Sequence, residues 1–275
     1  MAASEVSAFD GLAMADIDAA MALSTEAGWN QTADDWRHFI TQGRSICVRK
    51  PEGGLAASAA ALPYDGPFGF VSMVLVTADW RRLGIATRLV DRCVEELEAT
   101  RRTPVLDATE AGAKVYAKQG FLGQFAFDRW QGTLAGPGVS DSAAPVDVSR
   151  IVARDAEVAG AGRPALLTDF LARPETVALE ASGGFALARA GRRATQVGPV
   201  VATDESGALA LMQRLFARLR GLVFIDVPSR WSRIAAWLKA TGFSIQRGFT
   251  RMALGRAEPF GQPSRLFSVA GPEFG

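Results

Sequence analysis

Histidine, cysteine and net charge are all scarce in this chain. Of 275 residues one is a histidine, His38, and two are cysteines, Cys47 and Cys93. Both cysteines fall inside apolar patterns, as small core residues do, which excludes a disulfide framework. Thirty basic residues face 29 acidic ones, for a net charge of +1. No bulk field is available to hold a polyanion, so no nucleic-acid partner is expected. A run of about 18 apolar residues is missing, and Met1 to Asp10 lacks the basic and apolar regions of a signal peptide. No membrane partner is therefore expected, and a cytoplasmic location is. Gly-Lys-Ser/Thr and the three-glycine dinucleotide spacing are both absent, which excludes a P-loop and a Rossmann fingerprint. No metal site is expected. A dense acidic patch is also missing, and a polycationic acceptor would favour one.

What is present is an ordinary globular composition, 48% hydrophobic and 21% charged, long enough for two domains of usual size. The informative stretch is Phe68 to Glu98. Phe68 to Val76 reads as a strand buried on both faces, Thr77 to Trp80 as a turn, and the residues from Leu83 onward as an amphipathic helix. At such a junction the first helical amides lack intrahelical partners, and the macrodipole adds positive charge. Gly84 lets a phosphate approach the backbone, Ala86 barely obstructs it, and Arg81 and Arg82 supply full charges. The junction reads as a pyrophosphate cradle.

Val76-Thr77-Ala78-Asp79-Trp80-Arg81-Arg82-Leu83-Gly84-Ile85-Ala86 resembles the acetyl-CoA-binding motif of the GNAT superfamily of acyltransferases. Ala86 replaces the commoner second glycine, and Ala78 a frequent proline. Ala113 to Phe121 (Ala-Lys-Val-Tyr-Ala-Lys-Gln-Gly-Phe) is similar to the family's second signature, in the correct order. The element order β–α–α–β–β–β–α–β–α–β agrees with the same topology. The resemblance implies acetyl-CoA as acyl donor. Met73, Val74, Leu75 and Val76 would pair with its pantetheine arm, and Arg81, Arg82, Leu83, Gly84, Ile85, Ala86 and Thr87 would hold its phosphates.

Gly136 to Val148 is rich in Gly, Pro, Ser, Asp and Ala, and reads as a linker. Beyond it the plan repeats. Asp155 to Leu171 looks helical, Gly184 to Ala190 and Thr195 to Ala202 look like strands, and Ala208 to Arg220 like an amphipathic helix. Val223 to Val227 follows as a strand and Ser229 to Ala240 as a helix capped by Ser229. Thr241-Gly242-Phe243 echoes Gln119-Gly120-Phe121, so the repeat spans half the chain. The expectation is an α/β (α+β) protein of two tandem GNAT folds, each a mixed, mostly antiparallel sheet flanked by helices. Residues 1–135 would be catalytic, 136–148 a linker, and 149–275 a non-catalytic copy. In that copy Val201-Ala202-Thr203-Asp204-Glu205-Ser206-Gly207 occupies the place of the cradle, with two acids and no arginine, and acids repel a pyrophosphate.

Acetyl transfer to an amine needs a donor for the oxyanion and an acid for the departing thiolate. Tyr116 matches the family's catalytic tyrosine, and a phenol of pKa about 10 is protonated at neutral pH. Thr109 stands where the family often has an asparagine. Glu110 and Asp107 are the acids that could deprotonate the amine, and solvated loop acids are an equal reading. His38 reads as a partly exposed surface residue. Trp29, Asn30 and Trp36 lie in the segment that lines the acceptor site in this fold, although a capped helix start explains them nearly as well. The expected activity is acetyl-CoA-dependent transfer to a small-molecule amine, by a monomer or homodimer. A non-catalytic acyl-CoA sensor and a protein-lysine acetyltransferase are the alternatives.

Overall fold

The structure, a computed structural model, describes residues 9–137 and 146–275. Its contacts divide the chain into two compact units, Met1–Leu106 and Asp107–Gly275.

The first unit begins with a two-residue strand, β1 (Asp10–Gly11), and the helices α1 (Ile17–Glu26) and α2 (Ala33–Gln42). Then come β2 (Arg44–Arg49), β3 (Leu55–Pro63), β4 (Phe68–Val76), α3 (Ile85–Glu98) and β5 (Thr103–Ala108). The strands lie in the order β1-β2-β3-β4-β5, antiparallel except for the parallel pair β4–β5. Strand β3 reads Leu-Ala-Ala-Ser-Ala-Ala-Ala-Leu-Pro and is buried along all but its last residue. Such small side chains let α1, α2 and α3 pack closely on it. Helix α3 buries Ile85, Leu89, Val90, Cys93 and Leu97, the stripe expected from a 3.6-residue period. A capping box opens α2: Thr32 Oγ1 accepts from the Asp35 amide, and Asp35 Oδ2 accepts from the Thr32 amide at 2.8 Å.

The second unit holds α4 (Glu110–Tyr116), β6 (Phe121–Ala135), α5 (Val148–Ala159), α6 (Pro164–Ala172), β7 (Val177–Ala181), β8 (Gly184–Arg189) and β9 (Thr195–Val201). It continues with α7 (Glu205–Phe216), β10 (Arg220–Pro228), α8 (Ser232–Ala240), β11 (Ser244–Leu254) and β12 (Leu266–Ser268). The strand order is β11-β6-β10-β9-β8-β7, with β12 added to β9. Trp130, Ile225, Met212, Leu215, Ile234 and Leu238 belong to its buried cluster.

Several elements differ from expectation for local reasons. The expected helix 155–171 is two helices, because Gly160 ends α5 in the left-handed region and Pro164 starts α6. Ser229 does not cap α8. Its hydroxyl donates to Asp128, and the helix starts at Ser232. Strand β6 runs unbroken from Phe121 to Ala135, since it pairs with β10 on one edge and β11 on the other. That double pairing places β6 in the second unit, so the compact units part well before the expected linker. Of the linker, 138–145 lie outside the described residues. No helix among the described residues is long and apolar enough to cross a membrane.

Candidate active site

Strand β4 is irregular where the motif begins. Its register with β3 shifts between Ser58 and Ala60, and Met73 there takes φ of 51°. This is a bulge, with one extra residue on β4 and a bend in the strand. The Ser58 hydroxyl donates to the Met73 carbonyl at 2.9 Å and fixes the bulge. On the other edge, β5 pairs only with Phe68, Gly69 and Phe70. From Val71 to Val76 the two strands diverge, and β4 offers a backbone edge that β5 does not take up. Ser72 Oγ, beside the bulge, is buried without a hydrogen-bond partner.

The turn after β4 is held from outside the motif. Glu26, the last residue of α1, accepts from Thr77 Oγ1 at 2.6 Å and from the Ala78 amide at 2.8 Å. The Thr77 hydroxyl first, then the Ala78 amide, keep its carboxyl below the usual range. Arg81 donates from Nε to the Val76 carbonyl at 3.0 Å and lies 3.7 Å from Glu26. Arg82 is exposed, has φ of 63°, and makes no ion pair among the described residues. Gly84 is the N-cap of α3 with φ of 74°, and a Cβ there would meet nothing within 4 Å. Two left-handed residues in this turn, followed by first-turn amides, form a concave anion seat. The first turn of α3 contains no acid. Open backbone at Gly84, an uncommitted Arg82 and a free strand edge fit a pantetheine diphosphate.

Tyr116 stands on α4, half-buried, with its ring 6.1 Å from that of Phe121. Thr109 caps α4 by accepting from the Gly112 amide. Glu110 is exposed and pairs with Lys114 at 2.9 Å, which keeps its carboxyl ionised and lowered. Asp107 is not a solvated loop acid. Its side chain is wholly buried and accepts from Nε and Nη2 of Arg251 at 2.8 and 2.7 Å. Trp29 is half-buried and Asn30 buried, in the α1–α2 connection. Neighbouring Gln31 has a buried Oε1 with no partner. Trp36 belongs to the core: it is 0% exposed, and its Nε1 donates to Ser24 Oγ. His38 is buried beside Phe39, which corrects the surface reading. Burial pushes the Cys47 thiol up to about 11 and Cys93 to about 12, so neither is a nucleophile. No cluster of metal-ligating side chains is found among the described residues.

The second unit repeats this geometry and closes it. Strands β9 and β10 pair in parallel over three residues, as β4 and β5 do. Here β12 fills the gap, pairing Leu266 with Val201 and Ser268 with Val200. The Ala202 amide donates to Arg265, and the Val269 amide to the Asp226 carbonyl of β10. Gly198 is required at the crossing, because a Cβ would sit 1.9 Å from the Val269 carbonyl. At the turn, Asp204 Oδ1 accepts the Gly207 amide, and Glu205 accepts the amides of Arg233 and Ile234. Sequence reasoning found the acids, and also a strand at Arg265 to Ala270, but not that this strand fills the gap. It also missed Glu26, which no local pattern marks.

Residues 14–121 match the Acetyltransferase (GNAT) family, and residues 151–268 match an Acetyltransferase (GNAT) domain. The chain carries two GNAT domains in tandem and belongs to that superfamily of acetyltransferases. It is 24% identical over 233 residues to the uncharacterized N-acetyltransferase YitH of Bacillus subtilis (strain 168), covering 80% of this chain and 82% of that protein. Among solved structures, an acetyltransferase-fold protein of Pyrococcus horikoshii superposes with TM-score 0.80 at 16% identity, over 98% of this chain and 95% of its own. A tandem GNAT protein from the clavulanic acid biosynthesis pathway gives TM-score 0.60 at 16% identity, over 90% and 97%. At these identities the structures share the fold.

Proposed function

We propose that this protein is an N-acetyltransferase that moves the acetyl group of acetyl-CoA to the amine of a small molecule, an amino acid derivative or other primary amine. The observation that carries this reading is one junction in the first unit. There the unpaired edge of β4 runs directly into an anion seat that has no acid and no side chain at Gly84.

Acetyl-CoA, when bound, supplies an activated acyl group as a thioester. The backbone of Met73 to Val76 holds the pantetheine arm as an added strand would be held. The first-turn amides from Ile85 and the Arg82 guanidinium bind the diphosphate. Glu26 positions the turn through Thr77 and Ala78. Tyr116 Oη would be the proton donor to a departing thiolate. Glu110, exposed at the start of α4, would be the base acting through water. The second copy is non-catalytic, since its own chain occupies the corresponding gap.

Thiol release across a panel of amines, with the parent and Tyr116→Phe, tests the proposal. Turnover that drops about a hundredfold in Tyr116→Phe with CoA affinity unchanged is expected of a general acid. Tight CoA binding with no thiol released for any amine would identify an acyl-CoA sensor. Turnover confined to lysine within folded proteins would identify a protein acetyltransferase.

A further inference from the structure

One side chain joins the end of α1 to the turn after β4, and both lie in the first unit. Glu26 is the last residue of α1, where a carboxylate meets the negative end of the helix dipole and gains nothing from it. Its donors come from elsewhere. Oε2 accepts from Thr77 Oγ1 at 2.6 Å, and Oε1 accepts from the Ala78 amide at 2.8 Å. Nη2 of Arg81 stands 3.7 Å from Oε1, while Nε of the same guanidinium donates to the Val76 carbonyl. Glu26 is thus held by the turn that leads into Arg82, Gly84 and α3, and it holds that turn in return.

The residues that follow Glu26 are tied back onto α1. The Ala27 amide donates to the Leu23 carbonyl, the Gly28 amide to Thr25 and the Trp29 amide to Ser24. Ser24 Oγ also accepts from Trp36 Nε1 of α2. Residues 27–29 therefore move with the end of α1, and only Asn30 and Gln31 separate them from the Thr32 cap of α2. Both are buried, and Gln31 Oε1 has no hydrogen-bond partner among the described residues. A buried acceptor left unpaired disfavours the arrangement that leaves it so, and a shift of this connection costs correspondingly less.

We propose that Glu26 is a positioning residue that carries occupancy of the anion seat to the α1–α2 connection, so that the acyl donor arranges residues 27–31 for the acceptor. The proposal rests on the acetyltransferase reading, which sets the diphosphate of CoA at the seat. A diphosphate there competes for Arg81 and adds negative charge beside the Glu26 carboxylate. It therefore acts differently on the two arrangements of the link, which is what coupling requires. Linkage makes the effect reciprocal: whatever CoA adds to acceptor affinity, the acceptor adds to CoA affinity.

Amide hydrogen exchange of the full chain, with and without saturating CoA, tests the link. In the parent, CoA should slow exchange at residues 83–90, the seat itself, and by about fivefold or more at residues 27–32. In Glu26→Ala the slowing at 83–90 should remain and the slowing at 27–32 should vanish. Glu26→Gln keeps one acceptor oxygen and Thr77→Val leaves only the Ala78 bond, so each should retain part of the effect. These two variants carry the comparison if Glu26→Ala does not fold, and an unchanged effect in both overturns the proposal. A merely structural Glu26 predicts a lower melting temperature in Glu26→Ala with the CoA effect at 27–32 intact, and that result overturns it as well. Slowing at 83–90 alone in the parent also overturns it, and leaves the acetyltransferase reading standing. No CoA binding by the parent, read by calorimetry, sinks the reading and the proposal together.

Discussion

Gly84 combines a left-handed φ of 74° with empty space where a side chain would project. The first property makes any other residue strained, by about 1 kcal/mol. The second means that the strain is the whole structural cost, because nothing collides. Gly84→Asp should therefore lower the melting temperature by only a few degrees, while placing a negative group inside the anion seat. CoA affinity measured by calorimetry should fall by about a hundredfold or more, and Gly84→Ala should fall between the two. Glu26 acts at the same scale through the turn. Its carboxyl is depressed by the Thr77 hydroxyl and the Ala78 amide. A depressed carboxyl contributes stability that is full above its unfolded value, ~4.3, and lost as pH falls through the lower folded value. Glu26→Gln should thus be less stable than the parent at pH 7. Denaturant titrations should show the gap closing as the pH is taken below the ordinary glutamate range.

Among the elements, β5 and β11 carry a buried pair whose removal has a clear sign. Asp107 is 0% exposed at its side chain and Arg251 13%. Breaking such a pair from one side leaves an uncompensated buried charge, which costs about 3–5 kcal/mol. Arg251→Gln should lower the melting temperature on the order of 10 °C by calorimetry, and Asp107→Asn combined with it should lose less than the two single changes summed. The pair also shows what the residues alone convey. Strand, turn and helix from Phe68 to Glu98 were readable because burial period, glycine and arginines act within a few residues of one another. Asp107 looked like a loop acid because its partner lies 144 residues away, and no local rule reaches that far. Trp36 and His38 looked accessible because a helix opening Ala-Asp-Asp-Trp does not declare which face the fold will cover. The split of 155–171 into two helices had its signals in Gly160 and Pro164, whose joint weight outruns the apolar period around them.

At the scale of the whole molecule, two copies of one plan differ in what fills the gap between their parallel strands. In the first copy β4 ends with an edge that β5 does not pair from Val71 to Val76, as the pairing with β5 ends at Phe70. In the second, residues 265–269 take the equivalent position on β9 and reach β10 through Val269. That segment is anchored deeply: Arg189 donates to the Ala270 carbonyl and pairs with Glu273, and Arg163 donates to the Phe274 carbonyl. Leu266, Phe267, Val269 and Ala270 are all buried. A ligand would have to displace these contacts before touching the strand. Two independent obstacles thus face CoA in the second copy, the acids at the turn and the inserted chain, and they can be separated. Replacing Asp204 and Glu205 by arginine removes the charge obstacle and leaves the steric one. Calorimetric titration of the parent should give one CoA per chain, and the Asp204→Arg, Glu205→Arg variant should still give one. A second equivalent of CoA bound by that variant would show that charge alone had silenced the copy, and that the inserted segment yields to a ligand.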